Sequence, residues 1–379
     1  MTEQAVGDPA ASGAWDEGDP LGNRRFADAG DLRLESGTTL PGVRVAYETW
    51  GTLAPDASNA VLVLHALTGD SHVAGPAGPG HPTPGWWDEL VGPGRAIDTD
   101  RYFVVAPNVL GGCQGTTGPS SRAPDGRRWA GRFPRITVRD QVAAEALLAD
   151  VLRVDTWAAV VGGSMGGMRA LEWAVTHPDR VSGLLLAATC AAASAEQIGL
   201  CSAQAHAVRA DARFRGGDYY DAGPGGGPSA GLGVARRIAH LSYRSEPELQ
   251  ARFGRLPQDG EDPAAGGRFA VESYLDHQAA KLVRRFDANS YIVLSEAMNT
   301  HDVGRGRGGI PAALARVSAE TVVVGIDSDR LYPLWQQQEL ATAIPRSGEV
   351  RVVNSPYGHD GFLIETAAVA KQLAELLRD

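Results

Sequence analysis

Only three cysteines, Cys113, Cys190 and Cys201, occur in 379 residues, and no two form a CxxC pair. That excludes a disulfide framework and a cysteine-based zinc site, and it suits a reducing compartment. Positive charge is short as well: 35 Lys and Arg face 45 Asp and Glu, a formal net charge of −10. Nucleic acid and anionic membrane are therefore disfavoured as main partners, although a local basic patch can still hold a small anion. The opening "MTEQAVGDPAASGAWDEGDP" has neither a basic n-region nor an apolar h-region, so it is not a secretory signal. The longest apolar stretch, "VSGLLLAATCAAASA", is broken by Ser, Gly, Thr and Cys and is too short to span a bilayer. No HExxH or comparable ligand spacing occurs, so no metal is expected. These absences point to a soluble, cytoplasmic protein.

What is present is an alternation of short apolar runs and helical patterns. "AVLVLHALTGD" (60–70), "RYFVVAPNVLGG" (101–112), "WAAVVGGSMGG" (157–167), "TVVVGIDSDRLYP" (321–333) and "EVRVVNSPYGHDGF" (349–362) each read as a strand running into a loop of small or polar residues. The runs lack polar alternation, as strands covered on both faces do. Helical periodicity lies between them, around 136–152, from Met168 to His177 and over 364–378. Strands alternating with helices predict an α/β protein with a mostly parallel sheet and its chemistry at the carboxyl ends of the strands. Residues 190–312 differ, with helical patches joined by Gly/Pro-rich linkers such as "DAGPGGGPSAG" (221–231), which reads as a mobile surface loop. The expected organisation is a flexible leader over 1–24, a core over 25–189 and 313–379, and an all-helical insertion over 190–312.

The chemistry-bearing stretch is "AAVVGGSMGGMRALEWAV" (158–175). Its glycines fit neither a P-loop, which needs a following Lys-Ser or Lys-Thr, nor the G-x-G-x-x-G dinucleotide spacing. They fit G-x-S-x-G, with Gly162 and Gly166 two residues either side of Ser164. A nucleophile at the tip of a strand-to-helix turn is conformationally strained, and side chains two positions away would collide with the turn. Such a turn exposes the serine oxygen and makes the Met165 N–H an oxyanion donor. A glycine-rich turn with an inert serine is the plainer reading of the motif alone.

A nucleophile of this kind needs an acid and then a histidine downstream, each just past a strand. "TVVVGIDSDRLYP" offers Asp327 and Asp329, the latter favoured by Pro333 four residues on, with Asp327 a competitor. "EVRVVNSPYGHDGF" offers His359. Of the other histidines, His177 reads as a helix cap and His65 as support for the loop after the first run. His206, His240 and His277 read as packing or surface residues of the insertion. His72, His81 and His301 sit in loops without assignment. Together Ser164, an acid and His359 predict acyl transfer through an acyl-serine, without saying what accepts the acyl group.

The segments "HALTGDSHVAGP" (65–76), "PGWWD" (84–88), "PNVLGGCQGTTGPSS" (107–121), "GGSMGGMRALEW" (162–173), "HDVGRGRGG" (301–309) and "YGHDGF" (357–362) carry a resemblance. From about residue 25 to the end the chain resembles the homoserine O-acetyltransferase family of the α/β-hydrolase superfamily. The resemblance implies an α/β-hydrolase fold with a helical lid, and a two-step transfer of acetyl from the co-substrate acetyl-CoA to the hydroxyl of L-homoserine, with no permanently bound cofactor. It implies Ser164 as nucleophile, His359 as base, Asp329 rather than Asp327 as the acid, and Leu67 as the second backbone oxyanion donor. Arg236 and Asp360 would bind the substrate; a guanidinium and a carboxylate suit the two charges of a zwitterionic amino acid. Arg237 reads as the solvated neighbour. Cys113 reads as a pocket lining, and Arg305 and Arg307 as candidate contacts for coenzyme A phosphates or as a plain basic linker. A lid over the serine would keep water from the acyl-enzyme. A homodimer through the helical region is also implied. Competing readings are succinyl transfer, serine as acceptor, a plain esterase, and a binding protein that keeps the triad as a ligand clamp.

Overall fold

The computed structural model describes residues 8–377. Eight strands form the main sheet: Arg25–Arg33 (β1), Thr39–Trp50 (β2), Ala60–Leu64 (β3), Phe103–Pro107 (β4), Trp157–Gly163 (β5), Val181–Ala187 (β6), Glu320–Ile326 (β7) and Arg351–Val353 (β8). Their spatial order is β1-β2-β4-β3-β5-β6-β7-β8. Neighbours from β4 through β8 pair in parallel, and only β2 runs against the rest.

The period of two divides the central strands between two apolar layers. Leu62 and Leu64 of β3 face Leu148 of helix Val138–Leu152 (α1) and Trp173 of helix Met165–Thr176 (α2) in one cluster. Val61 and Val63 join Val369 and Leu373 of the C-terminal helix Thr366–Leu376 in the other. Both faces are dry, so the runs carry no polar alternation.

Four strands depart from the five expected runs. The β1–β2 hairpin is an edge structure with exposed Asp, Arg and Gly positions, so no apolar run marks it. β6 is hidden in sequence because its apolar residues continue into the buried loop Ala188–Ala191. β8 keeps only three paired residues, because Asn354–Tyr357 turn away to carry the histidine loop. Between β6 and β7 no strand of the main sheet occurs among the described residues. The chain forms helices Ala195–Ala210 (α3), Ser229–Tyr243 (α4), Glu246–Phe253 (α5), Ala270–Val283 (α6), Ala288–Asn299 (α7) and Ile310–Leu314 (α8).

The leader needs correction. Residues 1–7 lie outside the described residues, but the stretch 11–16 is packed rather than free. Ser12 Oγ donates to Asp287 at 2.7 Å, Gly13 N–H to the Phe286 carbonyl at 3.2 Å and Trp15 N–H to the Cys113 carbonyl at 2.9 Å. The 221–231 segment is tied down by the same strand of chain, since Gly225 N–H donates to the Pro9 carbonyl at 2.7 Å. Small residues make this contact possible: a Cβ on Gly227 would sit 1.8 Å from the Ala11 oxygen.

Candidate active site

Ser164 lies between β5 and α2 with φ +56° and ψ −126°, a conformation that costs a non-glycine residue about 1–3 kcal/mol. Close packing forces it. A Cβ on Gly162 would fall 2.3 Å from the Gly166 oxygen, and one on Gly166 2.0 Å from the Leu64 oxygen. The turn is fastened by Ser164 N–H to the Ala187 carbonyl and by Thr189 Oγ1 to the Ser164 carbonyl, both at 2.9 Å.

The structure brings Ser164, His359 and Asp329 into one hydrogen-bonded chain. His359 Nε2 lies 2.8 Å from Ser164 Oγ, and His359 Nδ1 lies 2.7 Å from Asp329 Oδ2. The second carboxylate oxygen accepts from the Leu331 and Tyr332 N–H groups at 2.8 and 2.9 Å, so Asp329 cannot rotate away. That arrangement sets Nδ1 as the donor to Asp329 and leaves Nε2 free to accept from the serine hydroxyl. Asp327 points elsewhere, accepting from Ser355 N–H at 2.9 Å in the loop that leads to the histidine. All three chain members are buried.

The two expected backbone donors, Leu67 and Met165, lie on different elements. Met165 is the first residue of α2, and Leu67 sits in a turn closed by Gly69 N–H to the Ala66 carbonyl at 2.9 Å. His65 supports that turn. Its Nδ1 lies 2.8 Å from the Ala66 oxygen and its Nε2 accepts from Val109 N–H at 3.1 Å. Burial, reinforced by the Arg169 guanidinium, pushes the imidazole down to about 3, so it stays neutral.

Arg236 and His359 both lie within electrostatic reach of Asp360. The buried Nε of Arg236 has no hydrogen-bond partner, and its guanidinium lies 5.6 Å from the Tyr243 ring centre. Burial raises the Asp360 carboxyl above its ordinary range, against the pull of His359, Arg236 and Arg244. Arg237 is not simply solvated: it is ion-paired with Asp276 on α6. Arg305 and Arg307 are committed to carboxylates, Arg305 to Glu35 at 2.7 and 3.0 Å and Arg307 to the buried Glu172. Their guanidiniums brace the 301–309 loop. Burial holds the Cys113 thiol far above its usual range and raises Cys201 to about 11, so neither is a nucleophile.

Sequence reasoning missed several residues that shape the site. The Tyr332 ring stacks on His359 at 4.8 Å with a 21° interplanar angle. Arg244 donates to Asp360 at 3.3 Å and to Glu248 at 2.8 Å. Tyr332 sits in the quoted "SDRLYP", so its position three residues past Asp329 was available as a signal. Arg244 had none, because its partner lies 116 residues away. Away from the serine, Glu48, His72 and His81 are buried with ligand-type atoms within 4.8 Å of one another. Their spacing in sequence hides the group. The imidazoles stack in parallel at 3.9 Å, and His81 Nε2 already accepts from Asn23 N–H at 3.1 Å. Parallel rings aim their lone pairs side by side rather than at one point, which suits a hydrogen-bonded cluster better than a tetrahedral ion.

An acyl-serine triad at the carboxyl end of a mostly parallel sheet, with helices inserted after β6, defines an α/β-hydrolase-fold enzyme, and residues 59–366 match the family described as alpha/beta hydrolase fold. The chain belongs within it to the homoserine O-acetyltransferase family. It is 66% identical to the homoserine O-acetyltransferase of Thermobifida fusca (strain YX) over 368 residues, 97% of either chain. To that of Clavibacter michiganensis subsp. michiganensis (strain NCPPB 382) it is 62% identical over 376 residues, covering 98% of this chain and 97% of the relative. Among solved structures, the homoserine O-acetyltransferase from Bacillus anthracis superposes with a TM-score of 0.85 at 27% identity, over 94% of this chain and 97% of that one. Esterase E22 superposes equally well, with a TM-score of 0.85 at 26% identity over 94% and 99% of the two chains.

Proposed function

We propose that the protein transfers an acetyl group from acetyl-CoA to the side-chain hydroxyl of L-homoserine by a two-step mechanism. In the first step His359 Nε2 takes the Ser164 proton as Oγ attacks the thioester carbonyl. The oxyanion is held by the Leu67 and Met165 N–H groups. Collapse of this tetrahedral species breaks the C–S bond, and His359 returns the proton to the departing thiolate. In the second step the homoserine hydroxyl gives its proton to His359 and attacks the acetyl-serine. Collapse then releases Ser164, which regains its proton from the imidazolium. Asp329 keeps the imidazole in the correct tautomer and stabilises its charged form.

Two adjacent groups of opposite charge support an amino-acid acceptor. Arg236, with its unpartnered buried Nε, would take the carboxylate, and Asp360 the ammonium. This pairing carries the reading, because a water-using esterase has no need of a zwitterion site. The insertion over 190–312 would act as the lid that keeps water from the acetyl-serine, and a homodimer would assemble through it. The buried free thiols suit a reducing cytoplasm.

The test is mass spectrometry after incubation with acetyl-CoA, then with L-homoserine, L-serine or buffer. The expected result is an acetyl adduct on Ser164 that is lost on adding L-homoserine and persists in buffer. No adduct overturns the transferase reading, and rapid loss in buffer favours an esterase. Succinyl-CoA in place of acetyl-CoA, and L-serine in place of L-homoserine, test the choice of donor and acceptor.

A further inference from the structure

We infer that Arg285, on the connection between α6 and α7, is a positioning residue that locks the oxyanion turn from the helical insertion. The inference rests on the acyl-serine mechanism above.

A trans peptide unit points its C=O and N–H in opposite directions, so the direction of an oxyanion donor is set by what holds the carbonyl on its far side. In the turn Ala66–Gly69 the carbonyls are held one by one. Arg169 Nη2 donates to the His65 oxygen at 2.6 Å. The Ala66 oxygen accepts from Gly69 N–H at 2.9 Å and lies 2.8 Å from His65 Nδ1. That pairing turns the Leu67 N–H to the opposite side of the peptide unit, where it would serve as the proposed oxyanion donor. The remaining clamp is Arg285 Nη1, which donates to the Thr68 oxygen at 2.7 Å across 217 residues of sequence. Thr68 C=O shares its peptide unit with Gly69 N–H, the bond that closes the turn. Arg169 and His65 belong to the core; Arg285 alone reaches in from the insertion.

Arg285 is itself held. Gln114 Nε2 donates to its carbonyl at 2.9 Å, and Gln114 Oε1 accepts from Arg24 Nη2 at 2.7 Å. Gly13 of the leader packs on the same backbone, where a Cβ would fall 2.6 Å from Arg285 N. Two residues on, Asp287 accepts from Ser12 and from the Tyr219 and Tyr220 hydroxyls, the tyrosines both at 2.8 Å. Among the described residues Arg285 forms no ion pair; it is half-buried, and the Asp70 carboxylate attracts it from farther off. A structural arginine would be given a carboxylate, as Arg305 and Arg307 are. Here the guanidinium's hydrogen bond goes to one peptide oxygen of the turn. The His359 loop is gripped in the same way, since a Cβ on Gly358 would lie 2.6 Å from the Tyr243 carbonyl at the end of α4. The insertion thus touches both halves of the catalytic machinery, and its seating sets the oxyanion hole.

The test uses the full chain carrying Arg285→Met, which removes the donor, and Arg285→Lys, which keeps charge but loses the planar fork. Ser164 acetylation by acetyl-CoA and by p-nitrophenyl acetate is followed in single turnovers, and release of the acetyl group to L-homoserine is followed separately. Both half-reactions pass through an oxyanion, so Arg285→Met should slow both by the same factor, roughly 10- to 100-fold. That is less than the ~100- to 1000-fold lost with a donor outright. The homoserine KM should change less than about two-fold, and added guanidinium should restore part of the rate. Arg285→Lys should lie between the wild type and Arg285→Met, and it serves as the test if the Met variant does not fold. Unchanged acylation with a raised homoserine KM would overturn the inference and make Arg285 a second carboxylate anchor. Full activity of both variants would overturn it too. If the wild type is acetylated by p-nitrophenyl acetate but not by acetyl-CoA, the proposed donor is wrong while the effect of Arg285 is still read.

Discussion

At the residue scale the triad was the most legible part of the molecule, because its three members are tied to features a sequence displays. Ser164 is announced by glycines whose absence of Cβ is a steric necessity, and Asp329 and His359 each follow a recognisable strand. The choice between Asp329 and Asp327 was not available from spacing alone. It lies in which carboxylate has backbone N–H groups behind it, two at Leu331 and Tyr332 for Asp329. Asp329→Asn should therefore lower kcat by about 10⁴-fold through loss of the imidazole's tautomer and charge support, measured in steady state. Asp327→Asn should leave kcat within about ten-fold, since Asp327 serves a loop rather than the imidazole. Gly166→Ala should destabilise the fold by roughly 3 kcal/mol in urea unfolding, because its Cβ would lie 2.0 Å from a strand carbonyl that cannot move. Arg244 and Arg285 were invisible, since their roles come from partners far away in sequence.

At the scale of elements, buried strands announced themselves and edge strands did not. β3, β5 and β7 are dry on both faces, whereas the β1–β2 hairpin mixes exposed polar positions with buried ones and reads as irregular chain. The helical insertion was legible as a change of pattern, but its contacts were not. One consequence concerns the "GRGRGG" loop, whose basic residues suggested a phosphate site. With Arg305 spent on Glu35, Arg305→Gln should leave the KM for acetyl-CoA unchanged within two-fold. It should lower stability by about 1 kcal/mol or less, as exposed ion pairs do, read from the shift in the urea midpoint. Arg244 acts through Asp360 at the corner between α4 and α5. Arg244→Gln should raise the homoserine KM several-fold while leaving Ser164 acetylation by acetyl-CoA unchanged, a split that pre-steady-state kinetics resolves.

At the scale of the whole molecule, leader, core and insertion interlock around the site, and burial gives the assembly a definite acid response. His65 and His240 are each pushed by burial down to about 3, from about 6.5 in an unfolded chain. The unfolded state therefore binds more protons between those values, and stability falls as pH drops from about 6.5 towards 3, by about 1.4 kcal/mol per pH unit for each such histidine. His72 works in the opposite sense, its pKa raised by Glu48 despite its burial. Urea midpoints taken at pH 7.5 and 5 should show the net loss, and His240→Phe should shrink it. No helix among the described residues is long and apolar enough to cross a membrane. The central claim is that this enclosed site hands an acetyl group from Ser164 to an amino-acid hydroxyl and refuses water. The most direct measurement is the partition of preformed acetyl-Ser164 between L-homoserine and water in a rapid-quench single turnover. A half-life of the acetyl-enzyme shortened at least 100-fold by millimolar L-homoserine, with O-acetylhomoserine formed in equal amount, is the predicted result. Release at the same rate with and without L-homoserine, yielding acetate, would contradict it.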